Sequence, residues 1–132
     1  MTLKFNVIVV AIAVAAVFSS AKADDFDSML KKYAQEAKAV PSVANGEIFF
    51  SNKHGKDWSC SSCHGMPPTA EGKHAVTKKT IKPMAPAFNS ERFTDESKVE
   101  KWFKRNCNDV LGRECNASEK ADVLAYLASI KK

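Results

Sequence analysis

The chain has 132 residues, with 20 Lys and Arg against 15 Asp and Glu, which gives a formal net charge of +5. The basic residues are scattered among acidic ones and form no single stripe, which argues against a nucleic-acid-binding protein. The 4 cysteines can attach a cofactor, bind a metal or form disulfides, and their spacing indicates which.

The N-terminal segment has the three parts of a secretory signal peptide. Lys4 is basic, residues 7–18 (VIVVAIAVAAVF) are apolar, and Ala21-Lys22-Ala23 matches a cleavage site. The apolar run is shorter than the ~20 residues that a membrane span needs. We therefore predict a signal peptide over residues 1–23, cleavage after Ala23, and export to the periplasm of a domain of residues 24–132 that does not span the membrane. Loss of Lys4 and Lys22 lowers the formal charge from +5 to +3.

Helical spacing of apolar residues recurs along the mature chain, and no segment shows the clear alternation of a strand. Helices are predicted over residues 25–39, 44–51 and 95–106 and in a last segment that follows Asn116. Thr94 and Asn116 are the expected N-caps, and Ile48 with Phe49 or Phe50 is expected to face inward. Residues 65–90 contain four prolines and no sustained period, so this stretch is expected to wrap a bound group. The predicted class is all-α.

Residues 60–64 (CSSCH) form the C-x-x-C-H motif of c-type haem attachment. Two thiols on one helical turn can reach the two vinyl groups of a haem, and the following histidine can bind the iron. We predict one covalent haem c on Cys60 and Cys63 with His64 as proximal ligand. The alternatives are a Cys60–Cys63 disulfide, which leaves His64 unused, and a zinc site that recruits His54 and His74. The order of helix, motif, proline-bearing loop and terminal helix resembles class I cytochromes c.

The sixth ligand of the iron decides the function, because a permanent strong ligand makes an electron carrier and a weak one leaves room for a small molecule. Met84 lies in KPMAP, 20 residues after His64, and either binds the iron or packs against the haem edge. His74 lies in a lysine-rich stretch and His54 in a charged loop. Each of these histidines is either a ligand or a solvated surface residue.

Asn106 is the third candidate for the sixth ligand. It shares one helix face, at spacings i, i+3, i+4 and i+7, with Val99, Trp102 and Phe103, whereas Asn108 falls off that face. An amide oxygen is a weak, hard ligand that suits Fe(III) better than Fe(II), so it can leave on reduction and open a position for O2, NO or CO. The same pattern also describes an asparagine that caps a helix or lies on the surface.

Cys107 and Cys115 lie outside the haem motif, and thiols of exported proteins tend to pair. We predict a disulfide whose loop of about nine residues is worth about 2.5 kcal/mol in the chain-entropy model. The bridge would tie the end of the 95–106 helix to the start of the last helix. It acts either as a clamp on a ligand at Asn106 or as a plain staple of a small fold.

The run ERFTDESKVEKWFKRNCNDVLGREC (91–115), followed by SEKADVLAYL (118–127), resembles the SHP-type (sphaeroides haem protein) cytochromes c. These are exported monohaem proteins that bind oxygen and nitric oxide. The resemblance implies that His64 and Asn106 bind the iron and that Cys107 pairs with Cys115. The related cytochrome c-double-prime carries histidine where this chain has Asn106. Met84 stands where these families carry leucine, which keeps a His/Met electron carrier open as the alternative.

The resemblance further implies a class I cytochrome c-like fold around one haem and reduction by a dihaem cytochrome c. Asn106 is then the ligand of the oxidised iron, and on reduction it gives way to O2, NO or CO. We expect Trp102 and Phe103 to pack near the haem and to limit the access of water. Oxygen reduction, nitric oxide or peroxide handling, and sensing are all open as uses of such a site.

Overall fold

The computed structural model describes residues 21–132, so residues 1–20 of the signal peptide predicted over residues 1–23 lie outside the described part. The helices are α1 (Ala21–Ala37), α2 (Val43–Ser51), α3 (Cys60–His64), α4 (Glu96–Leu111) and α5 (Ala117–Ser129). Two short strands, β1 (Gly72–Lys73) and β2 (Thr80–Ile81), pair antiparallel, with Gly72 opposite Ile81 and Lys73 opposite Thr80. None of the helices described is long and apolar enough to cross a membrane.

The predicted all-α class is confirmed, and three local expectations are wrong. Asp95, and not Thr94, caps α4, because its carboxylate accepts the N–H of Lys98. Ile48 is 57% exposed, and Phe50 instead provides the buried side chain of α2. The hairpin of β1 and β2 was missed because strands of two residues are too short to show alternation.

The crossing of α2 over α5 forms the centre of the fold. A Cβ at Gly46 would lie 1.9 Å from the carbonyl oxygen of Asp122, so only glycine allows this approach of the two backbones. Four residues further on, the Phe50 ring packs against Tyr126 with the ring centres 5.6 Å apart. The Asp122 carboxylate also accepts the backbone N–H of Ser42, the N-cap of α2, at 2.7 Å.

Helix α1 packs against α5 and adds Met29 and Tyr33 to the same core, where both are almost fully buried. Helix α4 contributes Val99 to this core and buries Cys107 and Val110 further along the same face. It ends at Gly112, whose φ of 76° is the left-handed conformation that glycine adopts without strain. The inner face of α4 therefore extends from the apolar core towards the second cysteine pair.

Candidate haem site

The haem-attachment motif folds as the single helical turn α3, and serine side chains cap the start of this turn. Ser59 is buried, and its hydroxyl accepts the N–H of Ser62, while the Ser62 hydroxyl accepts the N–H of Ser59 at 2.9 Å. Ser61 donates to the carbonyl of Ser51, which joins the turn to the end of α2. Gly65, with φ 76°, closes the turn by donating to the Ser61 carbonyl. The turn that presents both thiols is therefore fixed by the protein itself.

The three chemically active side chains of α3 are half-buried and have few protein partners. Cys60 and Cys63 are unpaired in the structure, and burial raises the pKa of the Cys60 thiol to about 11. The Nδ1 atom of His64 is buried and accepts or donates no hydrogen bond among the residues described. Burial, and secondly the positive charge of Arg92, lower the pKa of His64 to about 4, so the imidazole is neutral at neutral pH. Neutral imidazole is the form that binds a metal.

These observations fit an attached haem c. The His64 imidazole is neutral, and its Nδ1 atom has no partner among the described residues, so the ring is available as a metal ligand. Two free thiols three positions apart on one turn are the donor set for thioether attachment. The zinc alternative has no support in the described residues, because no three His, Cys, Asp or Glu side chains come together there.

The loop that carries Met84 is held against the segment that follows α3. The backbone N–H groups of Met84 and Ala85 both donate to the carbonyl of Pro68 at 3.1 Å. The Met84 side chain packs against the apolar core, as does Cys60. The structure therefore brings Met84 and the first attachment cysteine to one core, an arrangement that suits an iron ligand and a packing residue alike.

Helix α4 presents Phe103 and Asn106 from its inner face, and both are half-buried. Phe103 packs edge-on against Tyr33 with the ring centres 6.1 Å apart. The Asn106 amide has no hydrogen bond within the described chain, whereas the exposed Asn108 donates to the Lys104 carbonyl at 2.7 Å. Trp102 is 49% exposed, with the Arg105 guanidinium 5.5 Å from its ring centre. On α4, therefore, the Asn106 amide is free of hydrogen bonds to the described residues, whereas the Asn108 amide is hydrogen-bonded to its own helix.

The two remaining histidines are half-buried and bonded locally. The Nε2 atom of His54 lies 2.8 Å from the carbonyl oxygen of Phe49, and the two rings are tilted by 35° with their centres 4.4 Å apart. The Nδ1 atom of His74 accepts the N–H groups of Val76 and Thr77 at 3.2 Å. Each histidine therefore forms hydrogen bonds to backbone groups close to it in the sequence.

Cys107 and Cys115 are joined by a disulfide, and ion pairs hold its loop on both sides. Lys104 of α4 pairs with Glu114 at 3.1 Å. Arg113 donates two hydrogen bonds, of 2.8 and 2.7 Å, to the carboxylate of Glu119 in α5. The residue after Asn106 is thereby fixed to the start of the last helix.

Sequence patterns did not indicate the role of Arg92. Its guanidinium is half-buried and donates to the carbonyls of Lys82 and Pro83, at 2.6 and 2.9 Å. It carries a positive charge to the vicinity of His64. No local motif marks this residue, because its position depends on how the proline-bearing loop folds back on α3.

A fixed C-x-x-C-H turn, with a neutral histidine at its end, and an all-α core define a cytochrome of the c type. A family described as a domain of unknown function (DUF1924) matches residues 34–127, and the chain belongs to this family. The chain is 47% identical over 97 residues to cytochrome c'' of Methylophilus methylotrophus, and the match covers 70% of this chain and 67% of that protein. It is 52% identical over 71 residues to the cytochrome c-type protein SHP of Cereibacter sphaeroides, and the match spans only about half (54%) of that relative.

Solved structures agree with the sequence relatives. The oxidised cytochrome c'' of Methylophilus methylotrophus superposes with a TM-score of 0.75 at 41% identity, covering 83% of this chain and 97% of that one. Oxidised SHP, described as an oxygen-binding cytochrome c, gives a TM-score of 0.75 at 40% identity, covering 80% and 96%. The chain is therefore a haem cytochrome of the SHP type with covalently bound haem c.

Proposed function

We propose that this chain is an exported, periplasmic cytochrome in which His64 and the amide oxygen of Asn106 bind the oxidised haem iron. Asn106 leaves on reduction, and a small diatomic molecule takes its place. Bound haem supplies one-electron chemistry and an open coordination position for O2, NO or CO. The mature domain spans residues 24–132 after removal of a signal peptide over residues 1–23.

The observation that carries this proposal is that the Asn106 side chain is half-buried and has no hydrogen-bond partner among the described residues. This side chain lies on the inner face of α4, between Phe103 and the disulfide at Cys107. No protein group within the described residues competes for the amide oxygen, so this oxygen is available as a ligand. The neutral, weak character of an amide oxygen explains why such a ligand can be displaced.

The descriptions of two relatives support the same reading. SHP is described as an oxygen-binding cytochrome c, and the solution structure of cytochrome c'' as giving insight into haem-ligand detachment. In this chain Trp102 and Phe103 limit the access of water to the distal side, and a dihaem cytochrome c supplies the electrons. Reduction of oxygen and handling of nitric oxide or peroxide are the activities that this chemistry allows.

Visible spectra of the oxidised protein test the assignment of Asn106. Asn106→Ala is expected to change the ferric spectrum, whereas the matched control Asn108→Ala is expected to leave it unchanged, because Asn108 is exposed and bonded to Lys104. Equal spectra for wild type and Asn106→Ala would contradict the assignment.

The second candidate is a His/Met electron carrier with Met84 as sixth ligand. It is favoured by the two hydrogen bonds to Pro68 that fix the backbone at Met84 and Ala85. This alternative requires an Fe–S charge-transfer band in the oxidised protein that Met84→Leu abolishes. The Asn106 proposal predicts no such band and a Met84→Leu spectrum like that of wild type.

A further inference from the structure

The segment of residues 71–82, called the lysine hairpin below, presents a compact positive surface next to α3. It contains one acid, Glu71, and four lysines, all of them exposed: Lys73, Lys78, Lys79 and Lys82. Of these lysines only Lys82 pairs with a carboxylate in the described chain, that of Glu91 at 3.3 Å. The other three lysines form no ion pair with an acid within residues 25–132.

The tip of the lysine hairpin is held in one conformation by its own hydrogen bonds. His74 exchanges backbone bonds with Lys78 and Lys79 across the turn, at 3.0 and 2.9 Å, while its Nδ1 atom accepts the N–H groups of Val76 and Thr77. Val76, at the tip, is 69% exposed. An ordered surface with an apolar centre and a charged surround has the composition of a protein-docking site.

The lysine hairpin rests directly on the second haem-attachment cysteine. The backbone N–H of Ala75 donates to the Sγ atom of Cys63 at 3.3 Å. A Cβ at Gly72 would lie 2.0 Å from the Cys63 carbonyl oxygen, so β1 touches the backbone of α3. Val76 is exposed and directly follows Ala75, whose backbone N–H contacts the Cys63 sulfur. This sulfur is the atom to which the haem would be linked.

We propose that the lysine hairpin is the surface through which electrons enter, and that it docks a redox protein with an acidic surface. The lysines steer the negatively charged partner and orient it, and Val76 provides the apolar contact. One electron leaves the partner and converts ferric to ferrous iron, and no covalent bond is made or broken. The proposal rests on haem attachment at Cys63 and is independent of which residue is the sixth ligand.

Small redox reagents of opposite charge test this proposal on the holoprotein. Stopped-flow oxidation of the ferrous protein by hexacyanoferrate(III), without oxygen and at low ionic strength, is compared for wild type, Lys73→Glu/Lys79→Glu and the control Lys31→Glu/Lys38→Glu. Both double variants change the net charge equally, and all four lysines are exposed. The hairpin variant is expected to react about tenfold more slowly and the control much less so, because local charge governs encounter at the site of transfer.

The cationic oxidant tris(1,10-phenanthroline)cobalt(III) is expected to show the reverse order, with the hairpin variant the fastest. In a second readout, titration of the holoprotein with an oligoglutamate peptide is expected to shift the amide NMR signals of residues 73–79. Equal rate changes in the two double variants, or peptide-induced shifts confined to other segments, would overturn the proposal. Unchanged visible spectra of both variants separate this result from any failure of the Asn106 assignment.

Discussion

The Tyr33 hydroxyl donates a 2.8 Å hydrogen bond to the Glu100 carboxylate and so joins α1 to α4. The other oxygen of Glu100 accepts a 2.7 Å bond from Lys120 of α5. The Lys120 ammonium also lies over the rings of Tyr33 and Phe103, at 5.2 and 5.9 Å from their centres. Two helices therefore fix α4 on the side that leads to Asn106.

Removal of the Tyr33 hydroxyl is expected to weaken this connection. Tyr33→Phe keeps the buried ring but deprives a charged carboxylate of one donor, which should lower the free energy of unfolding by about 1–2 kcal/mol. Guanidinium unfolding of the holoprotein measures this loss. The matched control is Tyr126→Phe, because among the described residues the Tyr126 hydroxyl donates only to the weak acceptor Sδ of Met66. A loss at Tyr126 as large as that at Tyr33 would contradict the importance of the carboxylate bond.

A methyl group at Gly46 is expected to disrupt the crossing of α2 and α5. The added Cβ would meet backbone atoms of Asp122, which cannot rotate away, so Gly46→Ala should cost about 3 kcal/mol or more. Thermal unfolding and the yield of haem-loaded protein report the effect. Gly55→Ala is the control, since Gly55 has φ 85° but nothing within 4 Å, and it should cost only about 1 kcal/mol. Similar losses at the two glycines would show that the helices do not require this contact.

The pairing of Arg113 with Glu119 predicts a pH-dependent contribution to stability. The Arg113 hydrogen bonds hold the pKa of Glu119 below its ordinary value of 4.5, although burial acts in the opposite direction. A lowered folded-state pKa stabilises the protein above the unfolded-state pKa, and this gain is lost as the pH falls through the folded-state value. Glu119→Gln should therefore lower stability by about 1 kcal/mol near pH 7, and this deficit should be lost in acid strong enough to protonate the carboxylate of the folded protein.

Urea unfolding of wild type and variant at neutral pH and in such acid measures this difference. Glu114→Gln is a suitable control, because the Lys104–Glu114 pair is exposed and should contribute little. A deficit of Glu119→Gln that persists unchanged in acid would mean that the ion pair is not its cause.

The sequence predicted best those features that short local patterns determine. The attachment turn at residues 60–64 and the N-cap at Asn116 follow from neighbouring residues, and the structure has both. The start of α4 was misplaced by one position because Thr94 and Asp95 are adjacent and both can cap a helix. In α2, Ile48 and Phe50 are equally apolar, and only packing against α5 shows which one is buried.

The features of the site that the sequence did not predict depend on contacts between residues far apart in the chain. The placement of Arg92 near His64 and of Ala75 against Cys63 depends on how a long irregular segment folds back on α3. The Glu100 network joins residues far apart in the chain, Tyr33 and Lys120, which no local period relates. Helical spacing and family resemblance made Asn106 a candidate ligand, and the structure adds that its amide is unbonded within the described chain.

Removal of the Cys107–Cys115 disulfide is expected to lower the free energy of unfolding by about 2.5 kcal/mol, as a loop of this length implies. The domain should still fold, because Arg113 donates two hydrogen bonds to Glu119 and so holds the loop independently of the bridge. Chemical unfolding of Cys107→Ala/Cys115→Ala measures the loss, and an unchanged stability would contradict it. A ferric spectrum shifted towards that of Asn106→Ala identifies a clamp on the ligand, whereas an unshifted spectrum identifies a plain staple.

Carbon monoxide binding by the reduced protein tests the central claim most directly. If Asn106 leaves the iron on reduction, the visible spectrum of the ferrous protein is five-coordinate and high-spin, and it changes promptly when carbon monoxide is added. The same spectra of Asn106→Ala should match those of wild type in the ferrous state and differ in the ferric state. A ferrous protein that stays low-spin and does not respond to carbon monoxide would contradict the claim and favour the permanent ligand Met84.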